Sequence, residues 1–113
     1  MSDKPNPHEG FSMQKGYDLV REGKPYAALV HFRHFSELKP VTRDVVIALQ
    51  TLGIAYRTIR RFEPAIENLE KALNEAQNLK DSKLEASILK DIEETQKAVK
   101  PPRFWRKERF PNG

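Results

Sequence analysis

Apolar residues recur three and four positions apart in five separate stretches between about residue 7 and residue 99, the spacing of amphipathic helices. The first stretch opens at "NPHE". Asn6 can cap it, Pro7 suits a first helical position and Glu9 complements the helix dipole. Its predicted end is Gly23, where a residue without Cβ takes the left-handed conformation without a clash. The second starts at Pro25, carries Ala28, Phe32, Phe35 and Leu38 on one stripe, and stops before Pro40. Thr42 is the predicted cap of the third, whose stripe is Val45, Leu49, Leu52 and Tyr56. The basic turn "IRRF" leads to Pro64 and the fourth stretch: Ala65, Ile66, Leu69, Ala72, Leu73 and Ala76. The fifth begins "SKLE", with Ser82 and Glu85 at capping-box spacing. It continues through Leu84, Ile88, Leu89 and Ile92 to Pro101-Pro102. Nothing alternates with strand periodicity, so the expected class is all-α.

The pattern also repeats. Gly16, Leu19, Ala28 and Phe32 recur 37 residues later as Gly53, Tyr56, Ala65 and Leu69. A glycine on one helix and an alanine on the next let two backbones approach closely, while the larger residues fill the space beside that contact. A weaker third copy follows at a spacing of 40, with Leu49 and Leu52 mapping to Leu89 and Ile92. In that register the equivalents of Gly53 and Tyr56 are Glu93 and Gln96, polar residues that suit an end helix with nothing packed beyond it.

The segment "LQTLGIAY", followed by Ala65 and Leu69, resembles the tetratricopeptide repeat, whose signature runs L-G-x2-Y, then A-x3-F, then P. The first copy matches through Gly16, Ala28, Phe32 and Pro40 and departs at Ser12, Lys15 and Leu19. The resemblance covers residues 9 to 99. It implies an antiparallel helix-hairpin stack, an α-solenoid, with repeats at about 9–42 and 46–79 and a capping helix at 82–99. Residues 1–6 are expected to be a flexible N-terminus, residues 7–99 the helical domain, and residues 100–113 an extended tail. Met13 and Tyr17 sit at the N-terminal end with few polar neighbours, so either "MSDKPNP" or a second subunit is expected to cover them.

In this family the first helix of each pair resembles the lining of a concave groove that holds a peptide. Carried onto this chain, the resemblance gives Met13, Tyr17, Val20 and Arg21 from helix one. Helix three gives Gln50, Ile54, Arg57 and Thr58, and helix five gives Lys90, Glu94 and Lys97. An apolar floor at Tyr17 and Ile54 with cations at Arg21, Arg57 and Lys97 would take a peptide with a hydrophobic anchor and carboxylates. The plainer reading of the same residues is solvated helix faces. The lysine–asparagine clamp known for chaperone tails needs groove asparagines, and Tyr17 and Ile54 stand in the comparable places.

Composition narrows the function classes. A chain of 113 residues with 38% hydrophobic and 32% charged residues forms one small domain rather than a disordered polymer. No apolar run approaches a membrane span and the N-terminus lacks signal-peptide order, so a cytoplasmic location is expected. With no cysteine, thiolate chemistry and disulfides are excluded. His31 and His34 lie three apart with Arg33 between them and no second ligand cluster elsewhere, which favours structural histidines over a metal site. No phosphate loop or nucleophile motif is present; the chain is expected to be non-enzymatic, with no cofactor or metal.

Charge changes the picture at one end only. Residues 1–99 carry 15 Lys/Arg and 15 Asp/Glu, so the net +4 resides in "KPPRFWRKERFPNG". Three readings of this tail are open. Phe104, Trp105 and Phe110 could cover helices four and five. The tail could instead dock on another protein through Trp105 and its arginines. Or Arg103, Arg106, Lys107 and Arg109 could meet RNA or lipid headgroups while the aromatics stack or insert. The expected function is a protein-interaction adaptor that binds a partner peptide or protein through its concave face, with the tail as second contact or cover. The alternative is an RNA- or anionic-membrane-associating factor acting through the tail. Self-association is the remaining expectation, through the N-terminal end.

Overall fold

The computed structural model describes residues 9–99. Five helices make up this region: α1 (Met13–Arg21), α2 (Pro25–Ser36), α3 (Arg43–Thr58), α4 (Phe62–Asn78) and α5 (Ser82–Ala98). The class is all-α, as the periodicity predicts.

Local chemistry fixes most of the boundaries. The Ser12 side chain accepts from the Lys15 N–H and caps α1, so the helix begins several residues later than "NPHE" suggests. Gly10, at φ +88°, sits in the turn just before it, a break that helical periodicity does not mark. Asn6 and Pro7 lie outside the described residues, as do the "MSDKPNP" cover, Pro101-Pro102 and the entire tail. Gly23 does end the α1 turn in the left-handed region, at φ +78°. Pro25 is the first residue of α2, and Thr42 caps α3 by accepting from the Val45 N–H. Helix α4 starts at Phe62, two residues ahead of Pro64, which a proline in the first turn tolerates. The predicted capping box at Ser82 is not formed. Asp81 caps α5 instead, accepting from the Leu84 N–H at 3.1 Å, and Ser82 is the first helical residue.

The helices pack in chain order, α1 on α2, α2 on α3, α3 on α4 and α4 on α5. Beyond these neighbours, α1 meets α3 and α3 meets α5, while the backbones of α2 and α4, and of α1 and α4, make no close approach among the described residues. The odd-numbered helices therefore stand closer together than the even-numbered ones. The α1–α4 contact that would close a four-helix bundle is missing.

Two interior clusters meet along α3. One gathers Val41, Val45, Val46 and Leu49 with Leu69, Ala72 and Ala76 of α4 and Leu84, Ile88 and Ile92 of α5. The other gathers Ala28 and Phe32 of α2, Ala48, Leu52 and Tyr56 of α3, and Ala65 of α4. Met13 packs against both clusters and Tyr17 against the second, its ring edge-on to Phe32 at 5.1 Å. Both side chains are thus partly taken into the interior by the chain's own helices.

The glycines of the repeat sit where the sequence places them. Gly16 and Gly53 are buried, and a Cβ at either would run into the ring of Phe32 or the side chain of Leu69. The third copy, however, is displaced by one residue. Thr42, Val45, Leu49 and Tyr56 correspond in capping and burial to Asp81, Leu84, Ile88 and Thr95, a spacing of 39. Leu89, read from the sequence as an apolar stripe position, is 48% exposed, and Leu38 is likewise exposed just past the end of α2. Glu93 and Gln96 face outward, and Ile92 and Thr95 take the inner positions.

Candidate functional site

On the side where α1, α3 and α5 approach one another, the end of α1 and the second half of α3 enclose a cleft of about 250 Å³. Val20, Gly23 and Pro25 form one wall; Thr51, Ile54, Ala55, Thr58 and Ile59 form the other. Its walls are almost wholly aliphatic, because Thr51 and Thr58 turn their hydroxyls to the carbonyl oxygens of Ile47 and Ile54. Both threonines therefore present methyl groups without a free donor. Ile59, 39% exposed, stands at the rim beside Arg60 and Arg61, both exposed. Arg60 takes a left-handed backbone, at φ 64°, and lies over the Phe62 ring at 5.5 Å.

Of the expected groove residues, Val20, Ile54 and Thr58 are brought together in this cleft. Tyr17 lies deeper between the helices; burial, and then the Asp44 carboxylate, push its phenol above its ordinary pKa. Arg21 is exposed and engaged with Asp18 one turn back. Gln50 and Arg57 are occupied in holding α5. The Gln50 amide donates to Ser87 at 3.0 Å and to Asp91 at 2.7 Å. The Arg57 guanidinium donates to the Asp91 carbonyl at 3.2 Å and to Thr95 Oγ1 at 3.1 Å. The expected cationic edge at Arg57 is thus an internal clasp. Lys90, Glu94 and Lys97 remain exposed on α5. The nearest cations along the chain to the cleft rim are Arg60 and Arg61, which follow Ile59 and are exposed. In the sequence they read as turn residues, and only the fact that the turn follows Ile59 could have linked them to it.

His31 and His34 have structural partners. His31 Nδ1 accepts the Ser12 backbone N–H at 3.1 Å, tying the start of α1 to α2. Phe11 stacks on His34 at 4.1 Å and meets His31 edge-on at 6.2 Å. Among the described residues no three His, Asp or Glu side chains converge in a way that could hold a metal ion.

A second, larger cleft of about 640 Å³ opens on the opposite side, between α2 and α4. Tyr26, Leu29 and Arg33 line it from α2, Tyr56 from α3, and Pro64, Glu67, Asn68, Glu70, Lys71 and Asn74 from α4. It exists because the backbones of α2 and α4 stand farther apart than those of α1 and α3. Tyr26 is 55% exposed and meets the Tyr56 ring edge-on at 4.9 Å. The repeat signature does not mark this cleft, since it treats Tyr56 as a packing residue.

No helix among the described residues is long and apolar enough to cross a membrane. Set against protein-family models, curated proteins and solved structures, the chain gives no match.

Proposed function

We propose that this protein is a noncatalytic helical-repeat adaptor of tetratricopeptide type, and that the α1–α3 cleft receives a partner peptide. The observation that carries this reading is the aliphatic cleft at Val20 and Ile54, whose rim residue Ile59 is followed in the chain by the exposed Arg60 and Arg61. An apolar side chain of the peptide enters between Val20 and Ile54, where burial of a Leu- or Phe-sized group contributes about 1.5–3 kcal/mol. Carboxylates flanking that anchor face the two arginines, which match them in geometry as well as sign. The inward placement of α1, α3 and α5 supports the concave-face reading.

The test is selection of a random peptide library on the immobilised full chain. Enriched peptides should share an apolar anchor flanked by Asp or Glu. They should lose binding to Ile54→Lys and to Arg60→Glu with Arg61→Glu, with helical content unchanged. Peptides that bind those variants as well as the parent would overturn the assignment. Binding of RNA or anionic vesicles that vanishes with salt and on deletion of residues 100–113 would support the tail-driven alternative instead.

A further inference from the structure

The α2–α4 cleft contains polar groups that the fold leaves unused. Tyr56 is 1% exposed and Asn68 6% exposed, yet both line the cleft. Asn68 Nδ2 donates to the Pro64 carbonyl at 2.8 Å, which leaves its Oδ1 without a partner among the described residues. The Tyr56 hydroxyl likewise has none there. Every fully enclosed polar side-chain atom of the described residues is hydrogen-bonded. These two oxygens are therefore open to the cleft from side chains otherwise buried. A donor and an acceptor held rigidly at the floor of a groove are what an extended backbone needs to bind.

The cleft has direction. Lys39, just beyond α2, pairs with Glu75 near the end of α4 at 3.0 Å, and Tyr26 at the start of α2 meets Tyr56 beside the start of α4. The two helices thus run in the same sense. Tyr26 and the exposed Glu67 line the cleft towards the starting end, with Glu63 exposed one turn before Glu67; Glu70, Lys71 and Arg33 complete its charged lining. Glu63, Glu67 and Glu70, one stripe of α4, have no ion-pair partner among the described residues. Helix α5 runs back along α4, so its last residue, Ala98, comes level with the start of α4, one helix width from the cleft. Residues 100–113 begin two residues later and carry the chain's net +4, and Phe104, Trp105 and Phe110 besides.

We propose that the α2–α4 cleft is the docking site of this chain's own C-terminal segment. Tyr56 and Asn68 bond its backbone, Tyr26 offers a ring to its aromatic side chains, and the α4 glutamates face its arginines. Reach is sufficient. Fourteen extended residues span about 46–50 Å, against about 10 Å to cross one helix and about 25 Å for the length of α4. The assignment is independent of what the α1–α3 cleft binds.

Trp105 is the chain's only tryptophan, so its fluorescence reports the docked segment directly. In the full chain its emission should be blue-shifted, and its acrylamide quenching severalfold weaker, than in a synthetic peptide of residues 100–113. Tyr26→Ser, and separately Glu67→Lys with Glu70→Lys, should return both readings to the peptide values, with circular dichroism unchanged. Leu89→Gln, on the outer face of α5, should leave them alone. Three results would overturn the proposal. Trp105 could be as accessible in the full chain as in the peptide. Its shielding could survive the cleft variants and be lost in Ile54→Lys. Or the shielding could appear only as concentration rises, which would assign it to a second copy.

Discussion

A Cβ built on Gly53 would lie 2.6 Å from Cγ of Leu69 and 3.1 Å from the Ala65 carbonyl oxygen. The closest atoms belong to a side chain buried without any exposure, which has little room to give way. Gly53→Ala should therefore destabilise the fold by about 1–3 kcal/mol from overpacking, offset by at most about 1 kcal/mol of helix propensity. Replacing Leu69 as well should recover part of that loss. The two changes in Gly53→Ala/Leu69→Ala should be non-additive in chemical denaturation, whereas additive losses would show that the glycine is not there for the close approach.

That relationship was legible in the sequence, and so was the one between Gly16 and Phe32, because a small residue opposite a large one leaves a mark at fixed spacing. Caps were legible where they stood alone, as at Thr42. They were misplaced where two candidates adjoined: Asp81 precedes Ser82, and only the Arg43–Asp81 pairing distinguishes them. Glycine at position 10 shortened α1 in a way that periodicity cannot show. The α1–α3 face was partly legible through Val20, Ile54 and Thr58. The α2–α4 cleft was not, because it arises from the wide spacing of two helix backbones, and a repeat signature records only close approaches.

The one-residue displacement of the third copy is itself testable. Ile88 is fully buried among α3, α4 and α5 residues, while Leu89 stands largely in solvent. Ile88→Ala should cost about 2–4 kcal/mol, in the range of large-to-small core substitutions, and Leu89→Gln should change stability by less than about 0.5 kcal/mol. Equal losses in thermal or urea unfolding would restore the 40-residue register.

Arg57, together with Gln50, closes α3 onto α5, whose main packing is on α4. Hydrogen bonds to a charged donor contribute about 1.5–3 kcal/mol, reduced here by partial exposure, so Arg57→Ala should loosen α5 by about 1–2 kcal/mol. Terminal elements open separately from the centre of a stack. Amide exchange should accelerate through Ser82–Ala98 and leave the buried half of α3 almost unchanged. Uniform acceleration along the chain would show instead that the clasp supports the whole fold.

Asp81 gives the fold an acid-sensitive joint. Its carboxylate takes Arg43 Nε at 2.7 Å and caps α5 at the Leu84 N–H, linking the start of α3 to the start of α5. The Arg43 hydrogen bond, followed by the Leu84 N–H, holds its pKa below the ordinary carboxylate value of 3.8. A folded-state pKa below the unfolded one means that the unfolded chain binds the proton more readily. The stabilisation is then complete above the unfolded pKa and is lost as pH falls through the folded value. Stability should decline from about pH 5 downward. Asp81→Asn keeps an oxygen to cap the helix but removes the charge, so its stability should fall less steeply over the same interval while being lower at neutral pH. Raised salt should narrow the gap at neutral pH, because the ion pair is largely in solvent and screened there. Parallel acid limbs for the two proteins, measured by urea midpoint against pH, would remove Asp81 as the source.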